Sequence, residues 1–148
     1  MWILRILKKL DIEPLYMLEV YTKEIRSILE LAVPAWHSGL TVKQSADIER
    51  VQRVALSIIL SDLNTGKSKM SYDRALVTLG LEPLEVRRLK LCKSFAKKSL
   101  KSRHADMFSE NKHKYSTRIR PQFKTLNCNT YRFFNSPLNY LTRLLNNE

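Results

Sequence analysis

Five cations, Arg87, Lys90, Lys93, Lys97 and Lys101, recur every three or four residues in the segment after Pro83. Side chains at that spacing project from one face of an α-helix. A row of fixed positive charges attracts the phosphates of a polyanion by displacing their counterions. Further along, a basic stretch is interleaved with Tyr115, Phe123, Tyr131, Phe133 and Phe134. Cations that meet phosphates and aromatic rings that stack on bases are together the parts of a nucleic-acid backbone site. Both features also have a plainer explanation. Lysines solvate the outer side of surface helices, and aromatics pin tails onto helical bundles, which is the favoured reading for Phe133 and Phe134.

The charge distribution bears on this choice. The chain carries a net charge of +12, yet residues 1–64 hold eight Lys and Arg against eight Asp and Glu. Residues 65–148 hold eighteen against six, and Val86 to Lys124 alone holds thirteen against two. That excess is a local patch, and a patch of this kind draws in polyanions.

Bond-making chemistry is missing from the inventory. A two-metal centre needs carboxylates brought together, whereas Asp11, Asp47, Asp62, Asp73 and Asp106 are dispersed. There is no Gly-rich phosphate loop, no HExxH and no GxSxG. Cys92, Cys128, His37, His104 and His113 are not spaced as zinc ligands. The expectation is therefore no catalytic residue, no metal, no cofactor and no enzyme. Cys92 falls on an apolar helix face and reads as a reduced core thiol, which implies an intracellular setting, nuclear or cytoplasmic.

The elements that must position the cations are helical, and the expected fold is an all-α small helical bundle. It would contain a helix–corner–helix pair, one long amphipathic basic helix and an irregular basic C-terminal tail. In the pair, Leu18, Tyr21, Ile25, Ile28, Leu29 and Ala32 mark the first stripe. Pro34 should end that helix near Val33, Gly39 lets the chain turn, and Thr41 caps a second helix running to about Leu60. Ile48, Val51, Ala55, Ile58 and Ile59 form its stripe, with Glu49, Arg50 and Arg53 turned outward and Trp36 as the plug between the two helices. Ser61 to Ser71 reads as a loop, and Ser71 caps a short helix, Tyr72 to Thr78, closed by Gly80.

The basic helix then runs from Pro83 to about Arg103. Leu84, Leu89, Leu91, Cys92, Phe95, Ala96 and Leu100 form its core side, and the five cations form the other. Arg88 points toward the apolar side and must snorkel or find a carboxylate such as Glu85 or one on another helix. Periodicity fails from Ala105, and Asn111 to Asn129 reads as extended or poorly ordered in isolation, with a short terminal helix around Tyr140, Leu141, Leu144 and Leu145. The expected organisation is a helical domain over 1–104 and a basic tail over 105–148. Met1 to Leu10 is interrupted by Arg5 and ends in Lys8-Lys9 without a small-residue cleavage site. It reads as the rear half of a helix from a longer parent, and no run approaches the ~20 apolar residues that cross a bilayer.

Glu30, Pro34-Ala35-Trp36-His37, Gly39-Leu40-Thr41, Glu49-Arg50-Val51-Gln52-Arg53, Tyr72, Ala75-Leu76, Leu79-Gly80-Leu81, Leu84 and Arg87-Arg88 follow one another in order. That order resembles the region after the palm of non-LTR, jockey-like retrotransposon reverse transcriptases, which are RNA-directed DNA polymerases. The segment Thr130 to Ser136 and then Thr142 to Asn146 is similar to the closing part of the same reading frames. The resemblance implies a thumb-like domain over 1–104 that grips a primer–template duplex beside the palm. Arg50 and Arg53, together with Arg87, Lys90, Lys93, Lys97 and Lys101, would touch the backbone of an RNA–DNA or DNA duplex without reading sequence. It also implies no small-molecule substrate and a missing palm partner. The paired-aspartate palm motif and the endonuclease of such proteins are not in this sequence, and Leu31 and Leu144 stand where aromatics are expected. The chain thus reads as a noncatalytic, truncated copy with Met1 an internal methionine. Two other readings stay open: a basic helical module for an acidic protein or anionic membrane surface, and a decayed transposon remnant without function.

Overall fold

The computed structural model describes residues 1–61, 70–111 and 121–147. Most of the expected Ser61–Ser71 loop, together with Tyr115 and His113, lies outside the described residues. The helices, in chain order, are α1 (Trp2–Lys9), α2 (Pro14–Val20), α3 (Arg26–Leu29), α4 (Val33–Trp36), α5 (Val42–Ile59), α6 (Tyr72–Thr78), α7 (Leu84–Leu100), α8 (Tyr131–Phe134) and α9 (Pro137–Asn146). A π-helical turn, Tyr21–Ile25, joins α2 to α3. Among the described residues there is no β-strand, only an isolated antiparallel bridge between Glu110 and Phe123. The fold is all-α.

Local chemistry accounts for the helix ends. Thr41 Oγ1 accepts from the Gln44 N–H at 3.2 Å while Gln44 Oε1 accepts from the Thr41 N–H at 2.9 Å, a reciprocal capping box that opens α5. Ser71 Oγ accepts from the Arg74 N–H to start α6. After α6, Gly80 sits at φ +62°, and the Leu81 and Gly80 N–H groups donate to Leu76 and Val77 carbonyls at 2.9 and 3.2 Å. This is the paired closure that a left-handed residue permits.

The first helix does not reach Val33. It ends at Leu29, Ala32 adopts a left-handed φ of 52°, and Pro34 lies in the first turn of the separate short helix α4. Proline there meets no helical carbonyl behind it and needs no N–H partner, so it starts a helix where it was expected only to stop one.

The chain divides into two compact units, Met1–Leu31 with Thr41–Arg87, and Ala32–Leu40 with Arg88–Glu148. This is not the expected division at 104/105. In the first unit, Leu4, Met17, Tyr21, Ala55, Leu56, Ile59, Leu60, Ala75 and Leu76 form the core, each large aliphatic side chain contributing about 1.5–3 kcal/mol by leaving water. Inside it, Tyr21 Oη donates to Gln52 Oε1 at 2.7 Å, and Gln52 Nε2 donates to Tyr72 Oη at 2.9 Å and to the Glu82 carbonyl at 3.0 Å. Tyr72 Oη donates to Glu49 Oε1, which also accepts from the Leu84 N–H at 3.1 Å. Glu49 is therefore turned inward, contrary to expectation, because two donors from outside its own helix converge on it.

In the second unit, Val33, Cys92, Ala96, Phe108, Phe123 and Leu141 are buried together, with Trp36, Leu138 and Tyr140 among the side chains packed on them. Trp36, expected as the plug of the helical pair, packs on this cluster instead. The tail is not irregular throughout. Phe108 and Phe123 meet edge to face at 6.1 Å, and α9 holds the extended stretch 121–129 by its amides. Asn146 accepts from the Phe123 N–H and donates to the Phe123 carbonyl, both at 2.9 Å. Asn139, 2% exposed, accepts from the Leu126 N–H at 3.2 Å and donates to the Phe133 carbonyl at 3.0 Å.

Candidate nucleic-acid interface

The inward stripe of α7 is Leu84, Arg88, Cys92, Ala96 and Ser99, spaced by four, four, four and three residues as one helical face requires. Once that face is inside, the opposite one is fixed in solvent. Lys90, Lys97, Lys98 and Lys101 are exposed and Lys93 is half-buried. At 100° per residue, Lys90, Lys93, Lys97 and Lys101 occupy an arc of about 80° and a length of about 16 Å. That length matches roughly five phosphates of one strand at 3.4 Å each.

Two side chains of this helix depart from the expected pattern. Arg88 is only 1% exposed, so it neither snorkels nor belongs to the outer face. Phe95, expected in the core, is 47% exposed, although its angle on the helix falls between those of Leu84 and Arg88.

The seven candidate residues do not gather in one compact unit. Arg50, Arg53 and Arg87 belong to the first, and Lys90, Lys93, Lys97 and Lys101 to the second. Arg87 donates through Nε to Glu30 Oε1, and Arg26 stands 3.7 Å from the same oxygen. With its charge offset by a largely buried carboxylate, Arg87 is a structural ion pair and drops out as a phosphate contact. Arg53 is exposed but lies over the Tyr72 ring, 5.0 Å from its centroid. Arg50 is exposed on α5.

Gln52 and Asn139 were not singled out in the sequence, although both join distant segments. Gln52 sits four residues after Ile48 and seven before Ile59, so a lone polar residue within the α5 stripe was the available signal. Asn139, Thr142 and Asn146 recur at helical spacing, and that polar face of α9 was the second such signal.

No protein-family model matches this chain, and no curated protein or solved structure matches it either. Function rests on the chain's own residues. Among the described residues there is no group of His, Cys, Asp and Glu that could hold a metal ion, and no helix is long and apolar enough to cross a membrane.

Proposed function

We propose that this chain is a noncatalytic, intracellular, nucleic-acid-binding piece of a non-LTR retrotransposon reverse transcriptase, which grips the phosphate backbone of an RNA–DNA or DNA duplex. The observation that carries the reading is the lysine row of α7, exposed Lys90 and Lys97 with half-buried Lys93 between them and exposed Lys101 just past the helix end, opposite a buried stripe. The ordered motifs from Glu30 to Arg88 and from Thr130 to Asn146 supply the family. A row of point charges on one helix has no base-edge donors or acceptors arranged in planar pairs, so it contacts phosphates and reads no sequence. Its side chains act by displacing counterions and by holding the duplex, with no bond made or broken. Arg50 and Arg53 are further candidate contacts on the first unit.

The test is equilibrium binding of the full chain to an RNA–DNA duplex over a salt series. Four phosphate contacts give a log–log slope of about −3 to −4. Failure to bind, or affinity that does not weaken with salt, sinks the reading. Vesicles of anionic lipid at the same salt are the control, and preferential binding to them favours a membrane module instead.

A further inference from the structure

The four residues of α8, Tyr131-Arg132-Phe133-Phe134, make a single turn whose three aromatic side chains all keep exposed surface. Tyr131 is 83% exposed, Phe133 43% and Phe134 46%. Soluble proteins seldom leave such a cluster in water unless something binds there. The turn itself is firmly held. Thr130 Oγ1 accepts from the Phe133 N–H at 3.2 Å, and the buried Asn139 donates to the Phe133 carbonyl. The backbone under the rings is therefore fixed, with Tyr131 mostly in solvent and Phe133 and Phe134 about half covered.

Cations stand beside them. Arg143 of α9 lies over Phe134 with its guanidinium carbon 3.6 Å from the ring centroid, and its Nη2 donates to Asn135 Oδ1 at 3.4 Å. Stacking and that bond hold the planar fork in one orientation, which lowers the entropy lost when it meets an anion. Arg132 is exposed on the same turn. Next to the stack runs a groove of about 410 Å³, lined by Thr125, Leu126, Asn127, Cys128, Phe134 and Arg143, a size within the range of small-ligand sites.

A ligand that satisfies both halves must present flat apolar faces and negative charge at close intervals. In a duplex the base faces are already stacked on one another, so rings of this kind can meet them only where the strand is unpaired. We propose that α8, Arg143 and the adjoining groove bind unpaired nucleotides, with bases stacking on Tyr131 and Phe134 and phosphates meeting Arg132 and Arg143. The inference rests on the nucleic-acid reading above and adds a contact of a different kind, base stacking in place of the phosphate row on α7. An acidic peptide would satisfy the arginines and leave the rings without a partner.

Fluorescence anisotropy with the full chain tests it, comparing a single-stranded RNA oligomer of about 12 nucleotides, a length typical of single-strand sites, with an RNA–DNA duplex of the same sequence. Tyr131→Ala and Phe134→Leu are each expected to weaken single-strand binding by roughly 5- to 100-fold, the loss of one stacked base, and to leave duplex binding unchanged. Phe134→Trp keeps a stacking face and retains single-strand affinity. Tyr131 is a surface side chain, so its variant keeps the fold, and far-UV circular dichroism verifies that. If the wild type binds duplex with salt dependence but neither variant loses single-strand affinity, this inference fails while the duplex reading stands. Equal losses on both ligands, or displacement of the oligomer by polyglutamate as readily as by polyuridine, also overturn it. Binding to neither nucleic acid overturns the duplex reading and this inference together.

Discussion

Gln52, Arg88 and Asn139 are polar side chains with almost no exposed surface, and Gln52 and Asn139 bind backbone groups far from them in the chain. Replacing Asn139 by Leu removes the acceptor for the Leu126 N–H and one of the two donors to the Phe133 carbonyl, which keeps the Ser136 N–H. A buried group left without its hydrogen bond costs about 1–3 kcal/mol, so Asn139→Leu should destabilise the protein by roughly 1–3 kcal/mol, read as a lower urea midpoint. Burial also pushes the Cys92 thiol up from 9.0 to about 11, partly offset by the nearby Arg88 charge. Because the folded-state value lies above the unfolded one, the stabilisation is complete below about pH 9 and is lost as pH rises through about 11. Cys92→Ala should therefore lose less stability between those pH values than the wild type, measured by urea titration at each pH. Native-state alkylation should reach the half-exposed Cys128 before the buried Cys92.

At the scale of elements, the ends of α5 and the corner before it make separable predictions. Thr41→Ala removes one half of the capping box and should cost about 1 kcal/mol, visible as a lower melting temperature. Ala32 holds a φ of 52° without being glycine. Ala32→Gly relieves that conformation but gives the unfolded chain more freedom. The expected net effect is a gain of up to about 1 kcal/mol, and a loss of stability would show that the Ala32 methyl packs usefully in its unit. The resemblance-bearing residues are in part architectural for the same reason: Glu30 pairs with Arg87, and Glu49 bonds Tyr72. Their spacing in sequence reflects helices that must meet.

For the whole molecule the decisive property is where the net charge sits. Residues 1–64 are balanced, and the excess lies in the second half of the chain, so binding should depend on α7 far more than on overall charge. Combining Lys90→Glu, Lys97→Glu and Lys101→Glu should reduce the salt slope for duplex binding by about 3 and weaken affinity for all duplex sequences alike. Reversing Lys8, Lys9 and Lys23 in the first unit changes net charge equally and should leave the slope nearly intact. If both sets act alike, diffuse charge and not the row on α7 is responsible.

The sequence alone determined what is local. Thr41, Ser71 and Gly80 mark helix ends through bonds made within a few residues, and the angular separation of lysines from Cys92 and Ala96 is set by helical period. Periodicity says that a face must be covered, not by what. Only the tertiary structure decided that residues 32–40 pack with the second unit, that Glu30 takes Arg87 out of the cationic face, that Gln52 and Asn139 are interior, and that Phe123 is buried while Tyr131 and Phe134 stay open. A polar residue is buried only when donors and acceptors far along the chain converge on it. That convergence depends on how segments pack, which no short window of sequence contains.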